Sequence, residues 1–191
     1  MRLFVAIDLP EFVKEQLALL CCGLPGARWV APEQIHLTLR FIGEVDGGLF
    51  LDIRDALTEI ESEIFSLGLS GVGFFPPRGK PRVVWVGLQK NEPLLKLRNR
   101  VESLLVGLGL EPEGRKFFPH VTLARLKNTP TIKIARFLES HSSFYTSSFS
   151  VENFHLYSSV LARKGAVHRI EVSYPLAGKP SAATSSGANR K

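Results

Sequence analysis

Cysteine is scarce in this chain of 191 residues, where only Cys21 and Cys22 occur, side by side. A disulfide between neighbouring residues is strained, and no third cysteine offers either thiol another partner. This excludes a small secreted scaffold held together by disulfides. We expect two reduced thiols near the end of a helix in a cytoplasmic protein.

Long hydrophobic runs are also missing. No segment approaches the roughly 18–20 consecutive apolar residues that a membrane span needs. The apolar run at the amino terminus is too short for a signal peptide, and no small-residue cleavage site follows it. We therefore expect a cytoplasmic protein with no membrane partner, whose first residues form a β-strand.

Glycine-rich phosphate loops are absent too. The pattern GxxxxGK[ST] does not occur, and the GVG at 71–73 is too short for a dinucleotide fingerprint. Two histidines without an accompanying carboxylate cluster also make a poor metal site. The sequence therefore predicts neither a cofactor nor a metal.

Acidic residues are missing from the Ser-, Ala- and Gly-rich tail at 178–191. The tail carries +3 of the net charge of +6, which leaves +3 for residues 1–177. We predict a single domain at 1–177 followed by a disordered tail. A charge of +3 suits an anionic substrate but does not predict a surface that coats nucleic acid.

Helix and strand patterns alternate along the chain. Helical spacing follows Pro10, Asp46, Asn91 and Pro130, and the second of these apolar stripes extends to Ile64. Strand-like runs lie at 3–8, 29–30, 35–42, 83–88, 117–126, 144–150, 151–160 and 167–174, with a turn at 164–165. Residues 71–82 indicate a Gly/Pro-rich loop or an irregular edge. Short connections favour an α+β fold with antiparallel sheets over a doubly wound parallel sheet.

One short phrase occurs twice, as HLTL at 36–39 and as HVTL at 120–123, so that the two histidines lie 84 positions apart. On a strand, residues i and i+2 share a face. The faces that carry the histidines are predicted in this way to comprise Gln34, His36, Thr38 and Arg40 in the first copy, and Phe118, His120, Thr122 and Ala124 in the second. If two lobes pack about a pseudo-twofold axis, the two histidines face each other across a cleft.

Two opposed histidines suit proton transfer at phosphorus. The unperturbed imidazole pKa is about 6.5, so one ring can accept a proton while the other donates one. In-line displacement needs both roles, on opposite sides of the phosphorus. The threonine hydroxyls can bond non-bridging oxygens, and a nearby arginine can neutralise charge that develops there. A lone His-x-Thr pair is usually only a solvent-facing pair, but the repetition favours function.

Five stretches carry a family resemblance. They are RLFVAIDLPE at 2–11, WVAPEQIHLTLRFIGEVD at 29–46, PRVVWVGL at 81–88, PHVTLARL at 119–126 and ENFHLYSS at 152–159. In this order they resemble the 2H phosphoesterase superfamily, and more closely its RNA 2′,3′-cyclic phosphodiesterase branch, also called 2′-5′ RNA ligase. The resemblance covers nearly all of residues 2–176 and leaves the tail outside.

The resemblance implies a bilobal α+β fold, two pseudo-symmetric lobes whose antiparallel sheets are flanked by helices around a central cleft. It implies a hydrolase that opens a terminal 2′,3′-cyclic phosphate on RNA to a 2′-phosphomonoester. His36 would donate a proton to the departing 3′ oxygen, and His120 would accept one from water. Thr38 and Thr122 would hold phosphate oxygens. The sequence alone is symmetric and does not assign the order of donor and acceptor.

Further binding residues are predicted more indirectly. Arg125 matches the HVTLAR pattern of the resemblance as a phosphate contact, although strict alternation places it opposite His120 unless a bulge intervenes. Strict alternation places Arg40 on the face of His36, where it could contact the substrate. The alternative is that Arg40 forms an exposed ion pair. Phe118 shares the face of His120 and could stack on a base, or be an edge-of-core aromatic. Phe4 and Trp85 are candidates of the same kind.

Three other histidines, His141, His155 and His168, lack a partner motif, so we expect them to be surface or packing residues.

Two other functions remain open at this stage. The chain could be an RNA- or nucleotide-binding module of the same fold without turnover, or an RNA ligase that runs the reverse reaction on the same residues. Water favours hydrolysis unless the ends are held at high effective concentration. We expect a monomer that acts on RNA ends or small nucleotides bearing a 2′,3′-cyclic phosphate.

Overall fold

The computed structural model describes residues 1–162 and 165–177. Within them the helices are α1 (Glu11–Ala18), α2 (Gly47–Ala56), α3 (Glu92–Gly107) and α4 (Thr131–Ser140). The strands are β1 (Arg2–Asp8), β2 (Ala27–Trp29), β3 (His36–Glu44), β4 (Phe65–Leu67), β5 (Leu69–Phe75), β6 (Val83–Leu88), β7 (His120–Leu126), β8 (Phe149–Val151), β9 (Asn153–Ala162) and β10 (Gly165–Pro175). The predicted α+β class is confirmed. The predicted disordered tail, and part of the predicted turn at 164–165, lie outside the described residues.

One antiparallel sheet runs in the order β10-β9-β1-β3-β7-β6-β5, and β2 also pairs with β7. At its centre, β3 and β7 meet through a single residue pair, Leu37 with Val121. Strands β4 and β8 form a second, two-stranded sheet in which Ser66 lies opposite Ser150. Both pairs join positions 84 apart, the spacing of the two histidines. A pseudo-twofold axis therefore relates the two halves of the chain.

The halves of the chain exchange strands across this axis. Strand β9 from the second half pairs with β1, and β5 from the first half pairs with β6. Each lobe of the sheet thus contains strands from both halves. The predicted bilobal arrangement is confirmed, with an exchange that the repeated order of elements did not indicate.

The predicted helix starts at Asp46 and Asn91 are confirmed. Each side chain accepts a hydrogen bond from the backbone N–H three residues later, at 2.9 Å. Helix α2 nevertheless ends at Ala56, well before the predicted end of its apolar stripe at Ile64. Beyond a short 3-10 turn the chain becomes extended, since Phe65 and Leu67 alternate inward as the buried residues of β4. Strand periodicity prevails there over the helical pattern.

Of the two interpretations of residues 71–82, the irregular edge is correct for 71–75 and the loop for the remainder. Strand β5 forms one edge of the main sheet and shifts register against β6. A Cβ added to Gly73 would lie 2.3 Å from the Trp85 ring, so this position must be glycine for the ring to lie flat on the strand.

The helices cover one face of the main sheet and leave the other open. Leu37, Leu39, Val121 and Leu123 point to the covered face and are at most 2% exposed. They belong to one hydrophobic cluster with residues of all four helices. The histidines of the two repeated phrases therefore point to the open face.

Candidate functional site

The central pair of strands positions both histidines. His36 begins β3 and His120 begins β7, each one residue before the pair Leu37–Val121. Flanking strands support them, because Asp8 of β1 lies opposite His36 and Gly87 of β6 lies opposite His120. The two imidazoles therefore reach the open face from adjacent strands that run in opposite directions.

Both imidazoles are held in the same tautomer. Nδ1 of His36 lies 2.8 Å from the carbonyl oxygen of Gln34, and Nδ1 of His120 lies 2.7 Å from that of Phe118. A carbonyl oxygen only accepts, so Nδ1 must carry the proton in each ring. The lone pair of each neutral ring is then on Nε2, the atom left for a ligand.

Burial favours the neutral form of both rings. Desolvation lowers the pKa of His36 to about 4, despite the opposing hydrogen bond to Gln34. It also lowers the pKa of His120, again against a backbone hydrogen bond. At neutral pH both rings of the ligand-free protein are bases.

Aromatic rings surround each histidine. The His36 ring lies 4.8 Å from Phe4, 5.2 Å from His168 and 5.8 Å from Tyr157, measured between centroids. The Phe4 candidate is thus a buried ring in contact with His36, 2% exposed.

The rings around His120 are different. Its centroid lies 5.0 Å from Phe75, 6.3 Å from Trp85 and 6.5 Å from Phe118. Phe118 also packs edge-on against Trp85 and is 50% exposed. The predicted Phe118 and Trp85 therefore lie beside His120, with Phe118 available to a ligand.

The two threonines share the open face with the histidines. Thr38 lies opposite Ala6 on β1, and Thr122 lies opposite Trp85 on β6. Both are half-buried. Within residues 1–162 and 165–177 neither hydroxyl has a hydrogen-bond partner, so both are available to a bound anion.

A β-bulge brings Arg125 to the open face. Across β6 and β7, Trp85 lies opposite Thr122 but Val84 lies opposite Ala124, so one residue of β7 is unpaired. Val83, which shares the face of Trp85, then lies opposite Arg125. Burial lowers the pKa of His168, and the positive charge of Arg125 lowers it further.

The equivalent bulge in β3 moves Arg40 the other way, and this corrects the prediction from parity. Arg40 lies opposite Val5, a core residue, rather than on the face of Thr38. Its guanidinium pairs with Glu102 of α3 at 2.8 Å and with Glu113 at 3.6 Å. Arg40 thus joins the sheet to a helix, and we remove it from the candidate substrate contacts.

His168 lies at the candidate site, although no sequence pattern predicted it there. Its ring meets the His36 ring edge-on, and its backbone N–H donates to Oε1 of Gln34 at 2.6 Å. Gln34 therefore holds His36 through its carbonyl oxygen and β10 through its side chain. His168 lies 132 positions from His36 and belongs to no repeat, so its position depends on the fold of the β9–β10 hairpin. The packing role predicted for it understates its place in the cleft.

A reactive cysteine, a metal site and a membrane-spanning helix have less support than the histidine pair. Burial raises the pKa of the Cys21 thiol to about 11, which keeps it protonated at neutral pH. Among the described residues, no three His, Cys, Asp or Glu side chains gather as metal ligands. No described helix is long and apolar enough to cross a bilayer.

Comparison with known proteins places this geometry in context. The family model described as LigT-like phosphoesterase matches the chain twice, at residues 7–85 and 86–168. An Archaeoglobus fulgidus protein named RNA 2′,3′-cyclic phosphodiesterase is 34% identical over 88% of this chain and 97% of its own length. A Thermotoga maritima protein of the same name is 35% identical over 89% of this chain and 92% of its own length.

Solved structures are similar over the same extent. The crystal structure of TT0787 from Thermus thermophilus matches with a TM-score of 0.79 at 29% identity, covering 94% of this chain and all of that one. Escherichia coli LigT in complex with 3′-AMP matches with a TM-score of 0.75 at 30% identity, covering 92% of this chain and 97% of that one. The boundary between the two matches of the family model falls within β6, the strand with which the structural repeat begins again.

Proposed function

The chain belongs to the LigT-like phosphoesterase family, and from that premise we propose that it hydrolyses a 2′,3′-cyclic phosphate at an RNA end to a 2′-phosphomonoester. The observation that carries the proposal is the pair of imidazoles with identical tautomers on pseudo-symmetric strands. Each offers Nε2 to the cleft between them, the arrangement that proton transfer on two sides of a phosphorus atom requires.

The proposed reaction balances with these two rings. His36 first takes up a proton at Nε2 with the anionic substrate. Water gives a proton to Nε2 of His120 as its oxygen bonds to phosphorus. As the bond from phosphorus to O3′ breaks, O3′ takes the proton from Nε2 of His36. The product keeps the phosphate on O2′, and exchange with solvent returns the rings to their starting states. The family resemblance supplies this order of donor and acceptor.

Three other side chains fit the developing charge. The hydroxyls of Thr38 and Thr122 lie on the face of the histidines and can donate to non-bridging oxygens. Arg125 reaches the same face through its bulge and can neutralise an equatorial oxygen. In this proposal no step needs a metal or a cofactor.

The test is hydrolysis of an RNA that ends in a 2′,3′-cyclic phosphate. We expect a 2′-phosphate product, with activity retained in excess chelator. His36→Ala and His120→Ala should each lower kcat by about 10²–10⁴-fold while the protein stays folded. A 3′-phosphate product, or a reversible loss of activity in chelator, would show that the mechanism is wrong.

His141→Ala is a matched control. His141 makes the same kind of bond from Nδ1 to a backbone carbonyl, that of Phe137 at 2.8 Å, but it follows α4 outside the cleft. Its loss should leave kcat unchanged. RNA binding that survives both cleft substitutions, together with negligible turnover of the unaltered protein, would instead identify an RNA-binding module.

The remaining expectations belong to the same proposal. We propose that residues 1–177 act as a single domain and that the protein is a cytoplasmic monomer. Sedimentation or light scattering at working concentration measures its mass directly.

A further inference from the structure

Five cations lie on segments that meet at the carboxyl end of β7, the end opposite to His120. Arg78, Lys80 and Arg82 lie on the loop between β5 and β6, Arg28 lies in β2, and Lys127 follows β7. We call this set the basic ridge. All five side chains are exposed.

Backbone contacts hold the segments of the basic ridge together. The N–H of Leu126 donates to the carbonyl oxygen of Arg82 at 2.8 Å, and the N–H of Lys127 donates to that of Gly26 at 3.0 Å. Nζ of Lys80 reaches across to Oδ1 of Asn128 at 3.1 Å. The ridge is therefore one continuous surface built by three separate segments.

Charge on this surface is strongly one-sided. The segments 24–29, 76–83 and 123–128 contain no aspartate or glutamate. Among the residues that the structure describes, no acidic side chain forms an ion pair with Arg78, Arg82 or Lys127. Residues 1–177 carry a net +3, so removing the five ridge charges leaves −2 for the rest. The mild charge of the domain conceals a local positive surface.

Aromatic rings connect the basic ridge to the cleft. Phe75, whose ring lies 5.0 Å from that of His120, is followed directly by the loop that carries three of the cations. Phe118 packs edge-on against Phe75 at 5.6 Å and is half exposed. Arg125 lies opposite Val83, the residue after Arg82. Cations beside exposed rings are the combination that binds single-stranded RNA, since bases stack on rings while cations hold phosphates.

We propose that the basic ridge binds the phosphates of the nucleotides that precede the cyclic end, so that the preferred substrate is an oligonucleotide rather than a cyclic mononucleotide. This inference rests on the proposed function and specifies its substrate class. A cyclic mononucleotide has one phosphate, which the cleft holds with Thr38, Thr122 and Arg125. The exposed cations outside the cleft can contact phosphates of the substrate only when further nucleotides precede the cyclic end.

The test compares two substrates, adenosine 2′,3′-cyclic phosphate and a six-nucleotide RNA with the same cyclic end. The unaltered protein should show at least tenfold higher kcat/KM for the hexamer at low salt. The triple variant Arg78→Gln, Lys80→Gln, Arg82→Gln should lose most of that preference and hydrolyse the mononucleotide within twofold of the unaltered rate. Equal losses on both substrates, or no loss on either, would overturn the proposal.

Direct binding separates this inference from the proposed activity. Fluorescence anisotropy with a labelled hexamer ending in a 2′-phosphate measures the affinity of RNA for the protein, even if neither substrate is cleaved. Since each phosphate neutralised on a single strand contributes about −0.7 to the slope of log K against log salt, the triple variant should flatten that slope by about 2. An unchanged slope would show that the basic ridge does not bind RNA phosphates, even if the enzyme is active.

The matched control neutralises three cations on the helix side. Lys90→Gln, Lys96→Gln and Arg100→Gln remove the same charge from exposed positions just before and along α3. This control should keep the preference for the hexamer and most of the salt slope. If it weakens hexamer binding as much as the ridge variant does, net charge alone explains the binding and the ridge has no specific role.

Discussion

At the scale of single residues, the two histidines are alike in their hydrogen bonds and unlike in their neighbours. Each donates from Nδ1 to the carbonyl two residues earlier, but only His36 has a third imidazole against its ring. His168 comes from β10, which has no counterpart among the strands described on the other side of the axis. The twofold repeat therefore gives two similar bases, and β10 makes them different.

The pKa of His36 makes folding depend on pH. It is about 4 in the folded protein, whereas an unfolded histidine titrates near 6.5. Between these values the unfolded chain binds a proton that the folded chain does not, so stability falls as pH falls from 6.5 towards 4. His36→Gln removes this effect and should gain about 1–2 kcal/mol relative to the unaltered protein on going from pH 8 to pH 5. Urea unfolding of both proteins at both pH values measures it, and an equal loss of stability in the two would contradict it.

The low pKa of His36 also couples the binding of an anion to the uptake of a proton. His36 is neutral in the free protein, so it can act as the proposed proton donor only if it takes up a proton with the anionic substrate. Inorganic phosphate should therefore bind with uptake of a proton near pH 7, and more tightly as pH falls. Titration calorimetry in buffers of different ionisation enthalpy counts the protons. If His36→Gln binds phosphate with the same uptake, another group takes up the proton.

His168 can be tested without removing its packing. His168→Phe keeps a ring against Phe4 and His36 and removes a group whose charge lowers the pKa of His36. The pKa of His36 should rise, so the limb of the profile of kcat/KM against pH that reports the titration of His36 should move to higher pH. His155→Phe is a control in the neighbouring strand, because His155 contacts Tyr157 rather than His36. A profile that does not move would make His168 a packing residue only.

Sequence reasoning reached the two histidines and threonines because a repeat marks them, and their positions on the open face agree with it. It could not reach His168, since one histidine without a motif is indistinguishable from a surface histidine. Its importance arises from the hydrogen bond between its N–H and Gln34, which joins residues 134 positions apart. No local pattern encodes a contact of that range.

At the scale of elements, the β-bulge just after Thr38 in β3 and the one just after Thr122 in β7 decide which arginine serves the cleft. Strict alternation placed Arg40 with His36 and Arg125 away from His120. The bulges reverse both, sending Arg40 to α3 and Arg125 to the open face. Strand periodicity predicts faces only up to the first bulge, and neither bulge contains a glycine or a proline that would have marked it in the sequence.

Arg40 is expected to matter for stability and not for chemistry. Its side chain is 10% exposed and that of Glu102 is 15% exposed. Arg40→Met therefore leaves a nearly buried carboxylate that keeps its ion pair with Arg98 and its hydrogen bond from the N–H of Glu113 but loses its closer cation. We expect a loss of about 2–3 kcal/mol in the free energy of unfolding. The kcat of the folded fraction should be unchanged, as chemical unfolding and assays at low temperature will show.

Arg54→Met is the matched control for Arg40→Met. Arg54 makes an exposed pair with Asp55, so its loss should leave the unfolding midpoint nearly unchanged. A selective loss of kcat in Arg40→Met, with stability preserved, would return Arg40 to the substrate contacts.

At the scale of the whole molecule, the exchange of strands makes the lobes interdependent. Neither lobe can keep its part of the sheet when one half of the chain unfolds, because each contains strands of both halves. We expect one cooperative unfolding transition in urea. Far-UV circular dichroism reports on the whole chain, whereas tryptophan fluorescence reports on Trp29 and Trp85, which both lie in the lobe of β7. The two curves should coincide, and separate midpoints would show that the lobes unfold independently.

The fold class could be predicted from the order of elements, and the bilobal shape from the resemblance. The partners of β5 and β9 could not, because two similar halves can pair within themselves or with each other, and local sequence does not distinguish these choices. Only the long-range contacts of the folded chain select the exchange.

That exchange is also the arrangement that two identical half-length chains would adopt as a domain-swapped homodimer. In such a dimer the residue at the position of Leu37 would face its own copy across a true twofold axis, as Ser66 faces Ser150 here. Every substitution would then appear twice, and the two histidines would be forced to share one environment. A single continuous chain removes that constraint, so that the two sides of one cleft can differ, as the proposed donor and acceptor of a proton require.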